Sequence, residues 1–350
     1  MAKEAKSNYN VIGVMAGSSM DGLDVALISF TKEQKWSFKI RRAKSFSYDS
    51  SIYELLAGAA ESSSKEQSKI DVLFGQWIAG KLLEFGVDDA ELVAVHGHTV
   101  IHKPKDGISW QLGNGEVIAD VITTPVVSDF RTQDVNMGGQ GAPLVPIGDF
   151  QLFSDFEACL NLGGIANVSI QKKEIAWDIC PCNQVLNHFA RQLGKEFDED
   201  GEIARTGVKR NIWMEKISLN RYYQQKPPKS LPNQFIGHEL LNEVEPEDGL
   251  RTFTEFTSQL IVNEISTFLP TGAKILATGG GAFNTYLMEM LNSNEKGLIF
   301  SVPDSRIVEY KEAMVFGFLG MLKFLNEVNV LASVTGASQD TSSGVIHYPK

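Results

Sequence analysis

The sequence has little cysteine, no long apolar run, no extended basic cluster and neither of the common glycine-rich nucleotide signatures. Its three cysteines, Cys159, Cys180 and Cys182, are too few for a disulfide framework, and a Cys-x-Cys pair is poorly placed to bridge itself. They suit a reducing cytoplasm. A closed zinc site needs about four ligands, and no His or Cys cluster stands beside them to supply the rest. No stretch approaches a membrane-spanning length, and the polar segment MAKEAKSNYN followed by the short apolar run Val11 to Met15 lacks the form of a signal-peptide core. Lys and Arg number 32 against 43 Asp and Glu, a net charge of −11, and the longest basic segment is the short Lys39-Ile40-Arg41-Arg42. Nucleic acid and anionic membranes are therefore poor partners. GxxxxGK[ST] is missing, which excludes a Walker-type phosphate loop, and no GxGxxG follows a strand. An acidic chain that binds a polyanion must focus positive potential locally, through backbone amides, a metal ion or a few chosen side chains. ATP fits that description.

What is present is the composition of an ordinary folded enzyme, 43% hydrophobic and 21% charged, in a chain of 350 residues that exceeds the usual growth of one core. Alternating apolar residues predict strands over 11–16, 23–30 and 36–40, with helices over 52–60 and 70–85 and strands at 92–96 and 125–130 around a short helix at 115–122. The order βββαβαβ then returns. Strands are predicted at 158–162, 165–170 and 174–179, a helix from Asn183, and, after several further helices, a strand at 274–278, a helix at 283–291, a strand at 298–302 and an apolar helix at 308–325. The fold class is thus α/β, two related lobes, the first covering 1–127 plus 326–350 and the second 128–325, with ligands expected in the cleft between them. The polar stretches 61–68 and 333–344 read as solvent-facing turns.

The motifs that could carry chemistry sit at the tips of these elements. Gly17-Ser18-Ser19-Met20-Asp21-Gly22-Leu23-Asp24 joins the first two strands. Its glycines let backbone N–H groups approach a phosphate, its serines add donors, and Asp21 or Asp24 could hold magnesium through water, although an ordinary Asp-Gly turn is the plain alternative. A second glycine hairpin, with Asn161, Gly163, Gly164 and Asn167, takes the equivalent place in the second lobe. Gly279, Gly280, Gly281 and Asn284 lie between a strand and a helix, where three glycines allow a flat group or a phosphate to come close. The long polar loop from Asp129 carries Arg131, Asp134, Gly138, Gly139 and Gln140, either as substrate contacts or as a hinge. Asp178, at a strand end before a helix, is placed to be a base or a helix cap. His96 and His98 with His102 have no evident third-ligand set, and read as substrate contacts or structure rather than metal ligands.

Taken together, GVMAGSSMDGLD at 13–24, HGHTV at 96–100, SDFRTQDVNMGGQGAPLVP at 128–146, LNLGGIANVS at 160–169, WDICPCN at 177–183, ATGGGAFN at 277–284, EAMVFGFL at 312–319 and VTGA at 334–337 resemble the anhydro-N-acetylmuramic acid kinase family, through nearly the whole chain. The resemblance implies the actin/hexokinase/Hsp70 fold, two RNase H-like lobes. It implies an ATP-dependent kinase that opens 1,6-anhydro-N-acetylmuramic acid with water and phosphorylates O6, giving N-acetylmuramic acid 6-phosphate and ADP in cell-wall recycling. Residues 17–24 match the family's ATP-phosphate loop, Asp178 its catalytic aspartate and Glu312 its EAM or EGM motif. Glu312 is expected in a first helical turn, beside Asp178, as a second carboxylate that contacts the sugar or orients water. The chain departs from the family at Ala16-Gly17-Ser18-Ser19, usually Ser-Gly-Thr-Ser, and at Asp149, at or beside which the family has His. It has Asp178-Ile-Cys-Pro-Cys-Asn183 where Asp-x-Gly-Pro-Gly-Asn is frequent, so that loop must form without free access to positive φ. The expected partners are ATP with Mg²⁺ and an amino sugar, with a homodimer left open. A kinase for an intact amino sugar, and a nucleotide-gated regulator of the Hsp70 or repressor type, are the rival readings.

Overall fold

The computed structural model describes residues 7–17, 20, 22–231 and 235–350, His238 by its backbone only. The chain forms two compact units, one made of the residues up to Leu152 with Tyr310–Lys350, the other of Phe153–Glu309.

In the first unit, strands β1 (Asn8–Ala16), β2 (Leu23–Lys32) and β3 (Trp36–Phe46) form an antiparallel meander. Helices α1 (Ser50–Ala57) and α2 (Ser64–Phe85) lead to β4 (Leu92–His96), which pairs parallel with β1. The hairpin β5 (His98–Lys103) and β6 (Ile108–Leu112) precedes α3 (Gly115–Ile122), β7 (Val126–Ser128), α4 (Thr132–Asn136) and α5 (Pro146–Leu152). In the second unit, β8 (Ala158–Leu162), β9 (Ile165–Ile170) and β10 (Ile175–Pro181) repeat the meander. Helices α6 (Asn183–Gln192), α7 (Glu202–Thr206), α8 (Asn211–Ser218), α9 (His238–Leu241) and α10 (Pro246–Ser266) follow, then β11 (Lys274–Thr278), α11 (Thr285–Asn292) and β12 (Ile299–Ser301). The chain ends with α12 (Ser305–Phe324), α13 (Ala332–Thr335) and β13 (Val345–His347). The sheet orders are β13-β7-β4-β1-β2-β3 and β10-β9-β8-β11-β12. Without β13 the two are the same arrangement, three antiparallel strands followed by two parallel ones. The repeated order is that of two actin-like, RNase H-like α/β lobes, as the duplicated pattern in the sequence predicts.

Each sheet is buried because its strands alternate as the sequence alternates. Ile12, Val14 and Val25 pack on Phe74 and Ile78 of α2 in the first unit, and Leu160, Val168 and Ile179 on Phe189 and Phe253 in the second. The other face of the first sheet is covered by α12, whose small residues permit close approach. A Cβ on Gly13 would lie 1.8 Å from the carbonyl oxygen of Ala313, and one on Gly317 would lie 3.3 Å from the Gly13 Cα. Phe318 packs between Phe30 and Trp36, edge-on to the latter, and Phe316 packs at a tilt between His96 and Phe130.

This packing moves the unit boundaries from the expected 127/128 and 325/326 to 152/153 and 309/310. Most of α12 belongs with the first sheet, and Tyr310 interrupts the helix with φ −111° and ψ 15° where the second unit gives way to the first. Both polar stretches read as exposed turns also differ. Residue 64 already opens α2, its start fixed by the Glu66 carboxylate accepting from the Ser63 N–H at 3.0 Å. In the C-terminal stretch Thr335, Thr341 and Ser343 are buried, and Ser343 is held by Asn329 and by the Phe130 carbonyl. Among the described residues no helix is long and apolar enough to cross a membrane.

Candidate active site

The β1–β2 hairpin closes on the pair Ala16 and Leu23, and its tip bends through Met20 at φ 58°, a left-handed conformation that non-glycine residues rarely adopt. Ser18, Ser19 and Asp21 lie outside the described residues. Leu23 is wholly buried in the core, so of the predicted phosphate contacts it keeps only its backbone for a ligand. The Gly17 carbonyl lies 3.4 Å from His98 Nδ1, which ties the tip to the strand after β4. Asp24 accepts a hydrogen bond from Ser45 Oγ at 2.5 Å across β2 and β3.

The loop after β7 is organised from within. Arg131 donates from Nε and Nη2 to His96 Nε2 at 3.0 and 2.8 Å, and from Nη1 to the Gly141 carbonyl at 2.6 Å. Two donors on Nε2 require the neutral imidazole with its proton on Nδ1, and burial beside the Arg131 cation holds His96 well below the usual histidine range. Burial also pulls the Arg131 guanidinium down to about 10, opposed by the Glu312 carboxylate, so Arg131 and Glu312 share one electrostatic environment. Asp134 is fully buried and accepts from the Gly141 N–H at 2.7 Å and from Thr335 Oγ at 2.7 Å. A Cβ on Gly139 would lie 2.2 Å from that carboxylate, which explains one glycine of the loop, and the Gln140 N–H is held by the Thr335 carbonyl. Gly138 stands at φ 83° with open space around it. His96, read from sequence as a substrate contact or as structure, and Asp134, read as a substrate contact or part of a hinge, thus hold the loop in shape: the Arg131 side chain engages His96, and the Gly141 N–H and Thr335 of the C-terminal stretch engage Asp134.

Asp129, at φ 56°, faces a cavity of ≈ 260 Å³ at the carboxyl ends of β4 and β7, lined also by Trp110, Gln111, Asn114, Thr132 and His347. Asp71 of α2 builds its floor by accepting from the Gly113 N–H at 2.9 Å and from Asn114 Nδ2 at 2.8 Å, while Asn114 Oδ1 caps α3. His347 of β13 lies 3.0 Å from Ser128 Oγ, and burial lowers its pKa.

In the second unit Asp178 sits on β10 opposite Asn167 of β9, where a bulge shifts the register before Cys180. Such a bulge re-aims a side chain. Asp178 does not cap α6, whose N-cap is Cys182. Its Oδ2 accepts from the Leu231 N–H at 2.9 Å and from Ser230 Oγ at 3.2 Å, and burial pushes its pKa up against the pull of those two donors. Cys182 takes φ −135°, so the Cys-Pro-Cys turn is built without positive φ. It is held by backbone bonds from Cys182 N–H and Gln184 N–H to the Gly164 carbonyl and from Asn183 N–H to the Gly163 carbonyl. Both turn cysteines are buried and their pKa values raised, Cys182 to about 12, so they are unreactive filling. Gly279 is at φ 80°, and a Cβ there would lie 2.5 Å from Asn161 Oδ1, so the two predicted nucleotide motifs of this unit are in direct contact. Asn284, grouped from sequence with the nucleotide motif, caps α11 by accepting from the Leu287 N–H at 2.9 Å.

The family model described as "Anhydro-N-acetylmuramic acid kinase" matches residues 9–349. Among similar curated proteins, one of Zymomonas mobilis with that name is 31% identical over 96% of this chain and 99% of its own. Another, of Paramagnetospirillum magneticum, is 32% identical over 97% and 99%. The chain belongs to the anhydro-N-acetylmuramic acid kinase family. Solved structures that resemble it include component A of the (R)-2-hydroxyglutaryl-CoA dehydratase of Acidaminococcus fermentans, at 12% identity, TM-score 0.46, and 90% and 98% coverage. For the kinase family, Asp149 is a departure that this structure accounts for: its carboxylate pairs with Lys311 at 2.7 Å, both side chains nearly buried, one residue before Glu312.

Sequence reasoning missed Asp71, Gln111 and His347 around the cavity, and Tyr222, Lys229, Ser230 and Glu264 around Asp178. A helix face, a strand edge and a proline-flanked loop carry them, none with a motif of its own. Among the described residues no group of three or more His, Cys, Asp or Glu could hold a metal ion.

Proposed function

We propose that this chain transfers the γ-phosphoryl group of ATP to O6 of 1,6-anhydro-N-acetylmuramic acid while water opens the anhydro bridge, in the cytoplasm, as a step in the reuse of cell-wall sugars. The observation that carries this reading is Asp178, a half-buried carboxylate of raised pKa, re-aimed by a bulge and held through one oxygen. A raised pKa makes the carboxylate a better base near neutrality. In an anhydro sugar O6 is bonded to C1, so no 6-hydroxyl exists to be deprotonated. Asp178 takes a proton from the water that attacks C1. The C1–O6 bond then breaks toward O6, which forms the new bond to phosphorus as ADP departs. One carboxylate suffices where glycosidases generally need two, because O6 leaves to phosphorus rather than to a proton.

The hairpins at 17–24 and 161–167, with Gly279 to Gly281, are the groups to which we assign the triphosphate and nucleoside. Magnesium in such sites is held by one or two carboxylates and by the phosphates themselves, a demand that Asp24 fits without a ligand cluster. When bound it would neutralise phosphate charge. Asp129 and the cavity around it offer acceptors and an aromatic wall suited to sugar hydroxyls.

Purified protein should release ADP with the anhydro sugar present and not without it. Release with an intact amino sugar alone would favour the kinase of ordinary hydroxyls, and ATP binding without any sugar phosphate would favour a nucleotide-gated regulator.

Glu312 lies in the first turn after the Tyr310 interruption, and is exposed. We assign it to the sugar. Glu312→Gln should then raise the sugar KM or lower kcat roughly tenfold, the low end of the effect of one charged hydrogen bond, with ATP binding and melting temperature unchanged. A purely dipolar role predicts intact kinetics and a stability loss of about 0.3–1 kcal/mol.

A further inference from the structure

Among the described residues the side chain of Asp178 is held by one strap of chain, and that strap is tied to the same helix as the strand carrying Asp178. The Asp178 N–H donates to the Lys229 carbonyl at 3.0 Å, and the Tyr222 hydroxyl donates to the Asp178 carbonyl at 2.6 Å. Ser230 Oγ and the Leu231 N–H both reach Oδ2, and no described residue donates to Oδ1. Lys229 is a lysine with 2% of its side chain exposed, its ammonium paired with Glu264 Oε1 of α10 and 4.7 Å from the centre of the Tyr222 ring. The other oxygen of Glu264 accepts from Trp177 Nε1 at 2.7 Å, and Trp177 is the residue before Asp178 on β10. One carboxylate on α10 therefore fixes the strand with one oxygen and the strap with the other.

We propose that Lys229, Ser230 and Leu231 form a clamp that assigns the two oxygens of Asp178 to different tasks, with Ser230 as the positioning residue that fixes Oδ2 and leaves Oδ1 to meet water. The inference rests on Asp178 being the base. Two donors on one oxygen fix the rotation of the carboxylate about its Cβ–Cγ bond and stabilise its charged form. Orientation of this kind governs how often the base meets its proton in a productive geometry. Breaking a buried pair leaves an uncompensated charge, so Lys229→Met and Glu264→Gln endanger the fold. Ser230 is exposed and removes one hydrogen bond only.

The ionisable groups around Asp178 are Tyr222, the Lys229–Glu264 pair and Cys180. Tyr222 and Cys180 are neutral at working pH because burial raises both. Loss of a donor to the charged form raises the pKa of the acid. For Ser230→Ala the acid limb of kcat/KM for the anhydro sugar should therefore move to higher pH. Activity on that limb should fall roughly tenfold, the low end of the range for one hydrogen bond to a charged group, because Ser230 is exposed. The KM for ATP should stay unchanged, and Ser230→Thr should restore the profile. A profile for Ser230→Ala superimposable on that of the parent protein would overturn the clamp. Asp178→Asn, measured beside it, separates the two claims. Its inactivity with an unmoved Ser230→Ala profile removes the clamp alone, whereas retained turnover removes the base itself.

Discussion

Asp178→Asn is expected to lower kcat on the anhydro sugar on the order of 1,000-fold, within the range lost with a general base, while ATP still binds. The amide keeps an oxygen for Ser230 and Leu231, so the geometry of β10 survives and the loss is chemical. Stability should move the opposite way. Burial raises the Asp178 pKa in the folded protein, so Asp178 favours the fold below the ordinary carboxylate pKa, and that contribution is lost as pH rises through the folded value. Above that pH an uncharged amide avoids the cost, and the variant should melt at or above the temperature of the parent protein at neutral pH. Comparison of kcat with calorimetry at neutral pH checks both. An inactive variant that melts well below the parent would mean that Asp178 holds the fold and would leave its role as a base without support.

Gly13→Val should prevent folding of the first unit, and Gly13→Ala should cost about 3 kcal/mol or more. The reason is the crossing of β1 by α12, where even a methyl group would lie 1.8 Å from the Ala313 carbonyl oxygen. Overpacking ordinarily costs about 1–3 kcal/mol because side chains can give way, but here the obstacle is helix backbone, which must shift as a whole. Soluble yield for the valine variant and denaturant unfolding for the alanine variant are the measurements. A loss below about 0.5 kcal/mol for alanine would show that the helix is not held at this distance.

The fold was legible because its strands carry their burial in alternation and its two halves repeat the same order. Glycines marked the hairpin tips, and the strand-to-helix turn lies where the sequence placed it, but the structure gives Gly279 a reason the sequence did not, its close contact with Asn161 and Leu162 of the second hairpin. The interruption at Tyr310 was not legible, since the apolar pattern of α12 runs through it and gives its residues to the first unit. In the candidate site, Asp178 stood out as a carboxylate between a strand and a helix. Its clamp did not, because Ser230 and Lys229 are distant in sequence and a lysine buried by pairing with Glu264 looks like any surface lysine until the partner is placed. Asp134 shows the converse: an acid in a polar loop suggests a ligand contact, yet the loop turns back on it and Thr335 arrives from the far end of the chain.

The most direct test of the account is incubation of the protein with ATP, Mg²⁺ and 1,6-anhydro-N-acetylmuramic acid in ¹⁸O-water, read by mass spectrometry. Preformed N-acetylmuramic acid 6-phosphate in the same water serves as the exchange control. The account predicts a 6-phosphate whose ester oxygen is unlabelled and whose C1 oxygen carries label beyond the control. Label in inorganic phosphate with the sugar still bridged, or a phosphorylated sugar without label at C1, would contradict it.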